Sequence, residues 1–189
     1  MITLYSKTIM KAITPENALT RYDAVLQSIQ TYDSNPENKF SLLTREVYVY
    51  SIKIYQKELF KSLQCKSSSI TILQLHQVYD TLFNIALLSI NYMDKLSDKT
   101  KAQLMEENRS LFQHKNADYG NSFQDFEIVG ILVRLNDKIN RIIALAGCSN
   151  EPQVKDEKME DTIHDLYNYS LIGLMYKSRP DNTMKQHNN

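Results

Sequence analysis

Glu157, Asp161 and Asp165 follow one another at four-residue steps, with Asn168 one turn further on. On a helix of about 100° per residue their side chains share one face. Like charges so spaced repel one another by a few tenths of a kcal/mol per pair, and a cation would relieve them. Hard carboxylate oxygens suit Mg²⁺, which keeps several waters and commonly binds through one or two carboxylates together with substrate phosphates. Upstream, Arg134, Asp137, Lys138 and Arg141 fall within about 100° of one another on a helix, and Lys115 stands in the polar segment His114–Phe123. These cations could meet phosphate oxygens, an arginine doing so bidentately. Alternatively, both faces are solvated and their surface ion pairs contribute little.

The elements that must carry these residues can be read around them. A helix is expected from about Glu127 to Ala146, terminated by Gly147. Its core face is Ile131, Leu132, Leu135, Ile139, Ile142 and Ala146. A loop containing Pro152 follows, then a last helix capped by Asp156 and running to about Tyr176. So short a connection favours antiparallel neighbours, which would bring the two charged faces together. Before them, 114–123 interrupts the apolar periodicity and reads as a loop, with Gly120 between Asp118 and Asn121 where a positive φ is cheapest.

Further upstream, Thr14 can cap a helix that has Pro15 at its first position and reaches about Tyr32. After a polar loop with Pro36, a helix from Phe40 to Leu63 is expected to bury one stripe made of Leu43, Val47, Tyr50, Ile54, Leu59 and Leu63. A serine-rich break leads to a helix from Ile70 to Leu96 that is apolar on most sides, as befits the centre of a bundle. Ser97 and Asp98 can cap another helix carrying Leu104, Met105, Leu111 and Phe112. His76 has no ligand partner one turn on, and the tyrosines Tyr48, Tyr50, Tyr55, Tyr79 and Tyr92 read as packing or a dimer surface. Residues 178–189 lack an apolar pattern and read as a disordered tail.

With 189 residues the chain is long enough for a real core, and only four Gly and four Pro argue for an all-α bundle. Lys plus Arg and Asp plus Glu are both 22, so the net charge is zero and there is no strong case for nucleic-acid binding. Cys65 and Cys148 form no paired motif, which fits a reducing, cytoplasmic setting, and no run is apolar enough to span a membrane. The abundance of Asn, Lys, Ile and Tyr is consistent with an AT-rich genome, viral or bacterial.

Three segments carry a resemblance: KNADYGNSF (115–123), GILVRLNDKINR (130–141) and VKDEKMEDTIHDLYNY (154–169). Over roughly residues 112–176 they resemble the nucleotide-modification-associated domain, type one, found largely in phage, viral and bacterial proteins. More distantly, the last helix is similar to that of the all-α nucleoside triphosphate pyrophosphohydrolases of the MazG kind. This divides the chain into an N-terminal helical region of unknown role (1–110), a nucleotide-modification-associated, MazG-like domain (111–177) with a helical hairpin, and the tail (178–189). The resemblance implies a helical homo-oligomer in which Asp137, Glu157, Asp161 and Asp165 hold Mg²⁺, with Asp137, Asp161 and Asp165 serving catalysis. On the substrate side it places Lys115, Asp118, Tyr119, Arg134, Lys138, Arg141 and Asn168. The chain departs from the pyrophosphohydrolase pattern on the first of the two helices, where Asp137 beside Lys138 replaces an acidic pair.

Three readings follow. The protein is a Mg²⁺-dependent NTP or dNTP pyrophosphohydrolase; or it binds or sequesters a nucleotide without turnover; or it is a helical interaction protein whose tyrosine-rich N-terminal half meets a partner.

Overall fold

The computed structural model describes residues 13–35, 43–63, 72–119, 127–147 and 159–177. Among them are six helices and no strand: α1 (Pro15–Asp33), α2 (Arg45–Leu63), α3 (Ile72–Leu96), α4 (Lys101–Tyr119), α5 (Glu127–Gly147) and α6 (Met159–Leu174). The all-α expectation holds. None of these helices is long and apolar enough to cross a membrane.

α1 starts as the sequence indicates. Thr14 is extended at the N-cap, Pro15 follows, and the Thr14 N–H donates to Asn17 Oδ1 at 2.9 Å. α3 is buried almost all round from Val78 to Met93 and packs against α1, α2, α4 and α6, so it is the centre of the bundle. α6 inserts between α3 and α5. Its close seat depends on Gly173, where an added Cβ would stand 2.8 Å from Leu82 Cδ1 and 3.3 Å from Ile131 Cγ2. At the end of α6, Arg21 Nη1 donates to the Met175 carbonyl and the Tyr79 hydroxyl to that of Tyr176. Helix ends leave carbonyls without intrahelical partners, so these bonds tie the C-terminus to α1 and α3.

Residues from α1 to α6 share one apolar core. A division at residue 110 falls inside α4, and both α1 and α3 lie against α6.

Three local expectations are corrected. In α2 the part of the stripe made of Val47, Tyr50 and Ile54 faces out, at 45%, 68% and 41% exposure, and Tyr48, Val49 and Ile52 are buried instead, beside Leu43 and Leu59, which are buried as expected. The segment VYVYSIKIY is apolar on both faces, so periodicity alone does not choose between them. Packing does: Tyr48 stacks on Tyr92 with ring centroids 4.3 Å apart, and Gln56 Nε2 donates to Asn136 and Asn140 of α5. Accordingly, Ile52→Ala is expected to cost about 2–4 kcal/mol in urea unfolding, and Ile54→Ala less than about 0.5 kcal/mol.

α4 is not capped by Ser97 and Asp98. The Ser97 hydroxyl accepts the Lys99 N–H, and a capping box forms at Thr100, whose N–H donates to Gln103 Oε1 at 2.8 Å. Nor does α4 stop at His114; it continues to Tyr119. His114, Lys115, Ala117 and Asp118 are exposed there, and no glycine or proline precedes Gly120 in this helix. The Gly120 turn itself and the start of the last helix at Asp156 lie outside the described residues.

Candidate functional site

The amphipathic pattern of α5 is the cleanest in the chain, and it sets the site. Ile131, Leu132, Leu135, Ile139 and Ile142 are buried, with Ala146 packed against the core. Lys138 is thereby held at the flank of α5 that meets α6. Its Nζ lies 2.8 Å from Asp165 Oδ2 on α6. From α4, Lys115 reaches the other oxygen of the same carboxylate, with Nζ at 3.7 Å from Oδ1. Two ammonium groups from separate helices thus converge on Asp165, whose side chain is 28% exposed. The partly exposed setting screens the attraction, so this bridge contributes modestly to stability. It does gather two cations about one carboxylate near the surface, and cations so gathered can meet phosphate oxygens.

The remaining expected residues fall around this bridge. Arg134 and Asp137 are exposed on α5, and Arg141 is half-buried. Asp118 is exposed near the end of α4, where Tyr119 is the last residue. Asp161 is exposed on α6, one turn before Asp165. Glu157 lies outside the described residues. Among the described residues no group of three His, Cys, Asp or Glu side chains is placed to hold a metal ion. The described carboxylates therefore do not make a metal cage of their own, and the Asp165 oxygens face lysines.

Asn168 is buried, and both ends of its amide are engaged within the protein. The Tyr22 hydroxyl donates to Asn168 Oδ1 at 2.6 Å, and Asn168 Nδ2 donates to Asn108 Oδ1 at 2.8 Å. Asn108 Nδ2 donates in turn to the Leu104 carbonyl at 2.7 Å and stands 3.0 Å from His164 Nδ1. A line of hydrogen bonds therefore runs from the core of α1 through α6 and α4 to an imidazole beside Asp165. Burial raises the Tyr22 phenol well above its ordinary range, which keeps it a donor. Tyr22 is also stacked on Phe112, and Arg109 holds Asp23 through two bonds of 2.6 and 3.0 Å, so α1 and α4 are clamped at this level.

Tyr22, Asn108 and His164 are the site-side residues that spacing does not reveal. Only His164 carried a signal, lying between Asp161 and Asp165 in the last motif. Burial holds the His164 pKa below its ordinary value, against the opposing pull of Asp161 and Glu107. A group whose folded pKa is depressed favours the fold while neutral. Its contribution is present above the unfolded value near 6.5 and is lost as pH falls through the folded value. Melting temperatures between pH 8 and 5 should show a decline that is shallower in His164→Gln.

Next along α6, Tyr167 is fully buried, and its hydroxyl has no hydrogen-bond partner among the described residues. Removing an unsatisfied buried hydroxyl relieves a desolvation cost of about 1–3 kcal/mol. Tyr167→Phe is therefore expected to be neutral or stabilising in urea unfolding, whereas most core changes destabilise.

Fold and site together define an all-α bundle with a lysine-bridged carboxylate at the junction of α4, α5 and α6. Residues 115–176 match the family model described as nucleotide modification associated domain 1. The match begins at Lys115 and contains Lys138 and Asp165, so all three members of the bridge lie within it. Searches of curated proteins and of solved structures return no match to the chain.

Proposed function

We propose that this protein binds a nucleotide, NTP or dNTP, through its phosphates at the Lys115–Asp165–Lys138 bridge. The observation that carries the reading is the convergence of two ammonium groups, from α4 and α5, on one partly exposed carboxylate inside the matched segment. Asp165 draws the two lysine side chains together; a phosphate approaching from solvent meets both, with Arg134 exposed on the same helix as Lys138. Magnesium fits this arrangement as an ion carried in on the phosphates, with Glu160 and Asp161 exposed at the start of α6.

A second reading adds turnover to a monophosphate and pyrophosphate, making the protein a pyrophosphohydrolase of nucleotide metabolism. Asp161 and Asp165 standing one turn apart on α6, with Asp165 beside the lysines, favour it. Both readings are tested by calorimetric titration of the full chain with nucleoside mono-, di- and triphosphates, with and without Mg²⁺, and assay of the same samples for pyrophosphate. Affinity rising with phosphate number supports the binding site, and pyrophosphate release adds the second reading. Absence of any nucleotide affinity contradicts both.

A further inference from the structure

The hydrogen-bond line that ends at His164 has a direction set as far as Asn108. Leu104 contributes a carbonyl, which can only accept, so the Asn108 atom 2.7 Å away is the amide nitrogen. Asn108 Oδ1 then accepts from Asn168 Nδ2, which leaves Asn168 Oδ1 facing the Tyr22 hydroxyl. Asn108 is buried and its nitrogen carries two hydrogens, one used on Leu104. The second faces His164 Nδ1 at 3.0 Å, while Asn108 Oδ1, which already accepts from Asn168, stands 3.1 Å from the same ring nitrogen; Nδ1 is assigned as the acceptor because that leaves no buried Asn108 N–H unmade. With Nδ1 accepting, the proton of the neutral ring is on Nε2, and Nε2 bonds to no described residue. The buried line thus ends in a donor that no described residue uses.

The charges around that donor say what it can meet. On α6 the ring has Asp161 and Asp165 as neighbours, on α4 Glu107, and from the connection before α4 comes Lys99, which Glu107 holds at 2.7 Å. Away from the two lysines that neutralise Asp165, Asp161 and Glu107 make this side acidic, so it does not attract a phosphate. A neutral oxygen, a base carbonyl or a sugar hydroxyl, is not repelled there. His164 adjoins Asp165 in sequence and lies about 100° round α6 from it, so a nucleotide with its phosphates on Lys115 and Lys138 would carry its nucleoside past this face.

We infer that His164 is the contact to the nucleoside half of the ligand, donating from Nε2–H to a neutral oxygen, with Asn108, Asn168 and Tyr22 as the residues that position the ring. The inference rests on the phosphate site proposed above and extends it to nucleoside recognition.

Asparagine and glutamine at position 164 separate the two ring nitrogens, because the Asn amide overlays Nδ1 and the Gln amide overlays Nε2. Calorimetry at pH 8 would compare His164→Asn, His164→Gln and Lys138→Ala with the unsubstituted protein. The probes are the common ribo- and deoxyribonucleoside triphosphates and inorganic tripolyphosphate, and circular dichroism confirms each fold. His164→Asn should lose about three- to tenfold in affinity for nucleoside triphosphates and leave tripolyphosphate binding unchanged. His164→Gln should recover most of that loss, and Lys138→Ala should weaken both probes. A loss confined to one base places the acceptor on the base; a loss across all bases places it on the sugar.

Equal binding by His164→Asn and the unsubstituted protein, or equal losses on nucleotide and tripolyphosphate, would overturn the inference while leaving the phosphate site standing. Failure of the unsubstituted protein to bind either probe would remove both. In the free protein, ¹⁵N resonances of labelled histidine should show Nδ1 unprotonated at pH 8; a protonated Nδ1 would contradict the assigned donor.

Discussion

Asn168→Ala is expected to destabilise the protein by about 2–5 kcal/mol, because it strands two buried groups at once. The Tyr22 hydroxyl loses its acceptor at 2.6 Å and Asn108 Oδ1 loses its donor at 2.8 Å. Each buried polar group left unmade costs about 1–3 kcal/mol. The truncation also opens space among α1, α4 and α6, where neighbours relax only in part. Tyr22→Phe removes one bond and keeps the stack on Phe112, so it should cost less, about 1–2 kcal/mol. The order of these two, read from urea midpoints at a common slope, checks whether Asn168 is the joint of the network. If Asn168→Ala fell within about 0.5 kcal/mol of the parent, the network would be incidental to stability.

The second large effect is on binding. Lys138→Ala should weaken nucleoside triphosphate affinity by about tenfold to a hundredfold, since charge-assisted hydrogen bonds contribute about 1.5–3 kcal/mol. It should change stability by less than about 1 kcal/mol, because its pair with Asp165 is partly exposed. Lys115 stands further from the carboxylate and is more exposed, so Lys115→Ala should have the smaller effect on both. The separation between a large binding loss and a small stability loss distinguishes a ligand site from a structural ion pair. Added salt should reduce the affinity of the parent more steeply than that of Lys138→Ala, since one charge fewer is screened. A change that lowered stability and left calorimetric affinity intact would return the bridge to the surface salt bridges of modest value.

How much of this was legible in the sequence differs from helix to helix. α5 was legible because its two faces differ sharply, and every residue expected inside is buried or packed against the core. Its helical span matched because Gly147 marks the end. α2 was legible only in part: Leu43 and Leu59 are buried as expected, but Val47, Tyr50 and Ile54 on one side and Tyr48, Val49 and Ile52 on the other are equally apolar. Which side goes in depends on Tyr92, Asn136 and Asn140, residues far along the chain. The length of α4 was misjudged because the change to polar residues at His114 marks a solvent-facing end turn, and no residue from His114 to Tyr119 is a strong helix breaker.

The charged site was half legible. Spacing places Lys138 and Asp165 on helix faces, but their meeting is a property of how α5 and α6 pack. Lys115 and Lys138 share one carboxylate, whereas Asp137 stays exposed on another part of α5. Spacing cannot tell a carboxylate that faces other carboxylates from one that faces ammonium groups. The line through Tyr22, Asn108, Asn168 and His164 was not legible at all, since its bonds join residues 56, 60 and 146 positions apart and each residue alone is an ordinary polar side chain. Local pattern predicts faces; buried polar chemistry between faces needs the packing.

The most direct measurement follows the side-chain ammonium resonances of the lysines in ¹⁵N-lysine-labelled protein during titration with a nucleoside triphosphate. The Lys115 and Lys138 signals should shift together and saturate at one equivalent, with the other lysines nearly still and the nucleotide's ³¹P resonances moving in step. Nucleotide binding that left both lysines unperturbed, or no binding at all, would contradict the account.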